Sequence, residues 1–202
     1  MSHIHHIVFD IGKVLIRYDP HRGLMKSLPD PEERAWFLKV VCTEAWNLEQ
    51  DRGRSWAEAE AVLITEWPDY AEQIRSFRIN WARMVYDRIS PTVALFERLI
   101  DEGRDVTLLT NFAADTFIEA RGLYPFLNRP RGVTVSGEVG LVKPDLAIFA
   151  LHQKTFSLDP GSTLFIDDNA ANVAGAREMG WRALQYLDHD LLVKDLADMG
   201  VI

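Results

Sequence analysis

The 202-residue sequence predicts an α/β fold, a parallel sheet flanked by helices and interrupted by a helical insert, on three observations. Three short apolar runs, Ile7-Val8-Phe9, Val106-Thr107-Leu108-Leu109 and Thr163-Leu164-Phe165-Ile166, end abruptly in polar residues. Continuous runs of this length are the pattern of strands buried on both faces. Helical patterns lie among them, one from Thr92 to Ile100 and another from Leu146 to Phe156 after Pro144. The stretch from about Pro20 to Ser90 is rich in helix formers and holds no convincing strand alternation.

Taken in order, the first run delivers Asp10 to the carboxyl end of a strand. The second delivers Thr110 and Asn111, and the third delivers Asp167 and Asp168. Parallel strands bring these polar residues to one edge, where open α/β sheets bind ligands at a topological switch point. Within the insert, Pro31-Glu32-Glu33 reads as a helix start, Ser55 with Glu58 as a capping box, and Pro68 and Pro91 as breaks or starts. Five of the six tryptophans, Trp36, Trp46, Trp56, Trp67 and Trp81, fall in this segment, and most are expected to fill its core. Trp46 is singled out as a substrate contact because it adjoins a stretch poor in helical signal, Asn47 to Gly53, placed to overhang the site.

The composition, 48% hydrophobic and 26% charged, is that of a globular domain able to bury a sizeable core. A net charge of -8 argues against a general nucleic-acid binder, which needs clustered Lys and Arg, but leaves room for one small phosphate. The single cysteine, Cys42, forms no intramolecular disulfide, and no apolar run is long enough for a membrane span or a signal peptide. A cytoplasmic setting, no membrane partner, and a monomer or a homodimer are the expectations.

Each chemical signal is weak alone. Asp10 read singly is a turn residue, Asp167-Asp168 a solvated pair or a helix cap, Lys143 before Pro144 a surface lysine, and Thr110-Asn111 a turn. Converging carboxylates repel, however, and a divalent cation is the simplest agent that makes their meeting favourable; all-oxygen ligands select magnesium over zinc.

In combination and order, Phe9-Asp10-Ile11-Gly12, Leu109-Thr110-Asn111, Ser136-Gly137-Glu138-Val139-Gly140 with Lys143-Pro144-Asp145, and Phe165-Ile166-Asp167-Asp168-Asn169 resemble the successive motifs of the haloacid dehalogenase-like hydrolases. The resemblance covers essentially the whole chain, and its opening and closing motifs look most like bacterial sugar-phosphate phosphatases, including those acting on glucose 1-phosphate. It implies a Rossmann-like core of residues 1–19 and 90–202 with a helical cap over 20–89. It further implies a magnesium-dependent phosphatase acting on a small phosphorylated metabolite, with Asp10 as the nucleophile that forms an aspartyl-phosphate. Thr110 and Asn111 would hold the phosphoryl group and Lys143 would stabilise charge. Asp168, assisted by Asp167, would anchor Mg2+ with Asp10 and the Gly12 carbonyl. Asn172 reads equally as a loop-fixing residue and as an ordinary first-turn polar residue.

One position departs from the pattern. Most phosphatases of this superfamily carry an aspartate two residues after the nucleophile as acid and base, and here Gly12 stands in its place. Asp19, a substrate hydroxyl, Glu49 or Asp51 are the candidates for the missing proton transfer. Lys13 is expected to point to solvent, and Arg52 and Arg54 join Trp46 as candidate substrate contacts. Two other readings stay open: a dehalogenase, in which Asp10 displaces halide without a metal, and a binding protein that keeps the fold without catalysis.

Overall fold

The structure, a computed structural model, describes residues 3–202. The chain opens with β1 (His6–Phe9) and β2 (Ile16–Tyr18), then runs through six helices: α1 (Pro20–Leu24), α2 (Pro31–Val40), α3 (Glu44–Asp51), α4 (Trp56–Glu66), α5 (Ala71–Ile79) and α6 (Trp81–Met84). It returns through β3 (Val85–Arg88) to α7 (Ser90–Asp101), β4 (Asp105–Thr110), α8 (Ala114–Leu123), β5 (Gly132–Val135), α9 (Ser136–Val139) and α10 (Leu146–Phe156). The last elements are β6 (Thr163–Asp167), α11 (Ala170–Glu178), β7 (Arg182–Gln185) and α12 (His189–Asp198).

Five strands form one parallel sheet in the order β5-β4-β1-β6-β7. β1 is central because it can be buried on both faces: Ile7, Val8 and Phe9 are fully enclosed. Alternation along the strand sends Ile7 and Phe9 into one apolar cluster with Phe96, Leu108 and Ile166. Val8 enters a second with Leu109, Phe149, Phe165 and Trp181. Phe9 pairs with Leu108 on one side and Ile166 on the other, so the chain leaves β1 at Asp10 between the ends of β4 and β6. Burying each such apolar side chain contributes about 1.5–3 kcal/mol, which makes the sheet a rigid base for the residues at its edge.

The three expected strands are β1, β4 and β6. The sheet gains β5 and β7 at its edges, short strands whose part-exposed residues carry no continuous apolar run. The insert holds one strand after all: β3 pairs antiparallel with β2 across the point where the chain enters and leaves the helices. At four residues, three of them exposed, it is too short and too polar to show alternation. The capping box at Ser55 and Glu58 is present, and Asp30 caps α2 ahead of Pro31. The stretch from Asn47 is helical as far as Asp51: Thr43 caps α3 by accepting the Trp46 N–H, and Gly53, at φ 106°, turns the chain away beyond the helix end. Among the described residues no helix is long and apolar enough to cross a membrane.

Candidate active site

Asp10 is held by its backbone, whose N–H donates to the Ile166 carbonyl at 2.9 Å, and its carboxyl faces the sheet's carboxyl edge. Lys143 arrives there from the loop before α10 and is itself buried. Its three ammonium protons have three acceptors: Asp10 Oδ1 at 2.8 Å, Asp167 Oδ2 at 2.6 Å and the Leu109 carbonyl at 2.9 Å. Such an ammonium is a fixed positive charge rather than a mobile one. Burial raises the Asp10 carboxyl to about 7, with Lys143 opposing and Asp167 adding to the rise.

Asp167 is fully enclosed and saturated. Its Oδ1 accepts from the Asn169 N–H at 2.8 Å and Asn172 Nδ2 at 3.0 Å, and Asn172 also reaches Oδ2 at 3.0 Å. Asn172 is therefore the loop-fixing residue. Asp168, half-buried beside it, is raised by burial and by Asp167. Oxygen atoms of Asp10, Asp167 and Asp168 lie within 4.8 Å of one another. Three carboxylates against one ammonium leave an excess of negative charge on oxygen donors, the setting that fits a hard divalent cation.

Asn111 does not hold its side chain free for a ligand. Its Nδ2 donates to the Lys143 carbonyl at 3.0 Å and its Oδ1 accepts the Lys143 N–H at 2.8 Å, a two-way clasp that positions the lysine. Thr110 closes β4 as a buried residue. The loop after it is fixed by Ser136, whose Oγ accepts the Phe112 N–H at 2.8 Å; sequence reasoning included Ser136 in a motif without giving it this task.

A cavity of about 870 Å³ opens over this edge, within the range of small-molecule sites. Asp10, Gly12, Asn111, Asp168 and Asn172 line its core side, and helices of the 20–84 stretch line the other. Lys13 is exposed yet lines the cavity, and Asp19 lines it while capping α1 by accepting the His21 N–H at 3.0 Å. Trp46 is placed elsewhere. It packs edge-on against Trp56 and Phe77, donates to the Ala59 carbonyl at 3.4 Å and is absent from the cavity wall; Trp56 and Trp81 are the indoles that face it. Arg52 pairs with Glu49 at 3.5 Å, and Arg54 donates to Gln50 Oε1 at 2.8 Å and to the Trp46 carbonyl at 3.0 Å; none of these three charged residues lines the cavity. Sequence reasoning missed the aromatic wall because a buried ring and a cavity-facing ring look alike in a helical pattern.

No protein-family model matches the sequence. A drimenol cyclase of Aspergillus calidoustus is 38% identical over 96% of this chain, which spans 36% of that protein's length. A sesquiterpene phosphatase of Aspergillus oryzae is 28% identical over 90% of this chain and 89% of that protein. Among solved structures, a haloacid dehalogenase family enzyme from Bacteroides thetaiotaomicron superposes with a TM-score of 0.75 at 22% identity, covering 95% of this chain and 99% of that one. The same enzyme in complex with magnesium and inorganic phosphate gives 0.72 at 22% identity, covering 94% and 98%. L-2-haloacid dehalogenase from Xanthobacter autotrophicus gives 0.65 at 16% identity, covering 96% and 83%.

Proposed function

We propose that this chain, which has the fold of the haloacid dehalogenase superfamily, is a magnesium-dependent phosphatase in which Asp10 attacks the phosphorus of a small phosphate monoester to form an aspartyl-phosphate. The observation that carries this reading is the buried Lys143 ammonium shared between Asp10 and Asp167, beside a part-exposed Asp168. Lys143 keeps Asp10 oriented and offsets charge on the phosphoryl oxygens. Asp10, Asp168 and the Gly12 carbonyl are the residues that would hold magnesium, with the saturated Asp167 positioning Lys143 and Asn172 behind them. When bound there, the metal supplies charge neutralisation for the phosphoryl group. Residues 20–89 act as a cap closing over a catalytic core of 1–19 and 90–202, which excludes water during transfer to Asp10.

The organic part of the substrate is apolar rather than sugar-like. Leu38, Leu48, Trp56, Phe77, Trp81 and Phe112 supply apolar wall to the cavity, and the arginines nominated for a polar substrate are turned away from it. The sesquiterpene phosphatase among the relatives points the same way. Against a dehalogenase stands the carboxylate pair Asp167-Asp168, which halide displacement from carbon has no use for.

The test is phosphate release from a medium-chain alkyl phosphate and from 4-nitrophenyl phosphate with magnesium present. Asp10→Asn is expected to lose at least 10³-fold in turnover and chelation to silence the wild type. Undiminished activity of Asp10→Asn overturns the nucleophile assignment. Chloride release from 2-chloropropionate in the presence of chelator replaces the reading with the dehalogenase.

A further inference from the structure

The proton that the leaving oxygen needs has no donor at position 12, where Gly12 lines the cavity without a side chain. Two of the acidic residues near the site are spoken for. Asp19 is the N-cap of α1, and Glu49 is exposed and paired with Arg52. Asp51, the last residue of α3, differs from both: it is half-buried and lines the same cavity as Asp10 from the cap side.

Its placement is built. The turn after α3 is pressed onto the core, where a Cβ at Gly53 would lie 3.3 Å from the Gly137 carbonyl. This close approach sets Asp51 against the loop that follows β4. There the carboxyl lies within electrostatic reach of the Ala113 backbone N–H, and Asn47 Nδ2 approaches it at 3.4 Å from one helical turn back. No ion pair engages it among the described residues.

Resting on the phosphoryl transfer to Asp10 proposed above, we infer that Asp51 is the acid and base of the reaction, reaching across the cavity from the cap in place of a side chain at Gly12. In the first step an Asp10 oxygen bonds to phosphorus, the bond from phosphorus to the leaving oxygen breaks, and that oxygen takes the Asp51 proton. The products are the alcohol, the aspartyl-phosphate and an Asp51 carboxylate. In the second step Asp51 takes a proton from water as the water oxygen bonds to phosphorus. The bond from phosphorus to Asp10 breaks, releasing inorganic phosphate and restoring both carboxyl groups to their starting states.

The environment suits the task. Burial raises the Asp51 carboxyl to about 7; the Ala113 N–H opposes the rise, the Asp10 charge adds to it, and Lys143 opposes it. An acid with its midpoint near neutrality is available in either protonation state, which is what a group acting twice requires. The arrangement also couples chemistry to closure, because the proton donor stands on the cap and the nucleophile on the core.

Asp51→Asn keeps the shape of the side chain and one acceptor oxygen and removes the ionisable proton. The measurement is the single-turnover release of the leaving group, enzyme in excess and magnesium present, from 4-nitrophenyl phosphate and from decyl phosphate. Nitrophenolate leaves without a proton, so its release is expected to stay within about threefold of the wild type, whereas decanol release falls roughly 10²–10⁴-fold. An equal loss on both substrates shows a positioning role and overturns the proposal, as does an undiminished decanol rate. A wild-type protein that releases neither product overturns the phosphatase reading itself and this one with it.

Discussion

Lys143 is the residue on which the site's stability and its chemistry meet. Removing one partner of a buried ion pair typically costs about 3–5 kcal/mol, because the remaining charge is left without compensation. Lys143→Met leaves Asp10 and Asp167 buried beside each other, so a loss of that order in urea unfolding is expected without metal. Magnesium should raise the variant's melting temperature more than the wild type's, since the ion replaces the missing positive charge; an equal shift in both would show that the carboxylates do not share the metal's charge. At this scale Asp10, Asp167 and Asp168 stood out at the ends of apolar runs, whereas Lys143 was legible only through the order of the motifs that resemble the haloacid dehalogenase-like hydrolases. The clasp of the Asn111 side chain on the Lys143 backbone was not legible, since a side chain that holds a lysine loop and one that binds phosphate have the same one-dimensional signature.

Helix α10 is tied to the sheet by a polar contact in an apolar layer. His152 is fully buried, with Nε2 3.0 Å from Thr107 Oγ1 on β4 and Nδ1 2.8 Å from Thr134 Oγ1 on β5. Burial lowers its pKa from 6.5 to about 3, with smaller effects of Arg131 and Lys143. The folded state thus keeps the ring neutral while the unfolded chain takes up a proton below about 6.5. This contribution to stability is complete above that pH and is lost as pH falls toward 3, at up to about 1.4 kcal/mol per unit. Urea unfolding of wild type and His152→Gln at pH 7 and pH 5 checks it: the stability gap should shrink at the lower pH, and a constant gap would refute the assignment. The junction of α9 with the loop after β4 is equally sensitive, because a Cβ on Gly137 would lie 2.6 Å from the Ala114 nitrogen and 2.8 Å from the Phe112 carbonyl. Neither backbone atom can retreat cheaply, so Gly137→Ala is expected to lower both melting temperature and turnover. Elements with strong local signals, such as α10 and the capped α4, were legible beforehand. The edge strands β5 and β7 and the ribbon strand β3 were not, because half-exposed strands of four residues carry too little periodicity.

For the whole molecule, the proposed substrate class turns on the cavity that Asp10 shares with helices of the 20–84 stretch. If its walls receive an apolar chain, each methylene buried is worth about 0.8 kcal/mol, so kcat/KM for n-alkyl phosphates should rise by up to about fourfold per added carbon until the cavity is filled. Trp56→Ala should flatten that series, and a chain-length-independent kcat/KM would return the substrate to the polar class. The parallel core and the meeting of Asp10, Asp167 and Asp168 at its edge were legible in the sequence, because buried strands need continuous apolar runs and their ends must then carry whatever is polar. Which residues of the helical stretch reach the cavity was set by tertiary packing alone: it took Trp46 out of the wall and put Trp56, Trp81 and Asp51 into it. Helix periodicity marks which residues are buried but not against what, and contacts such as Gly53 near the Gly137 carbonyl join residues far apart in the chain.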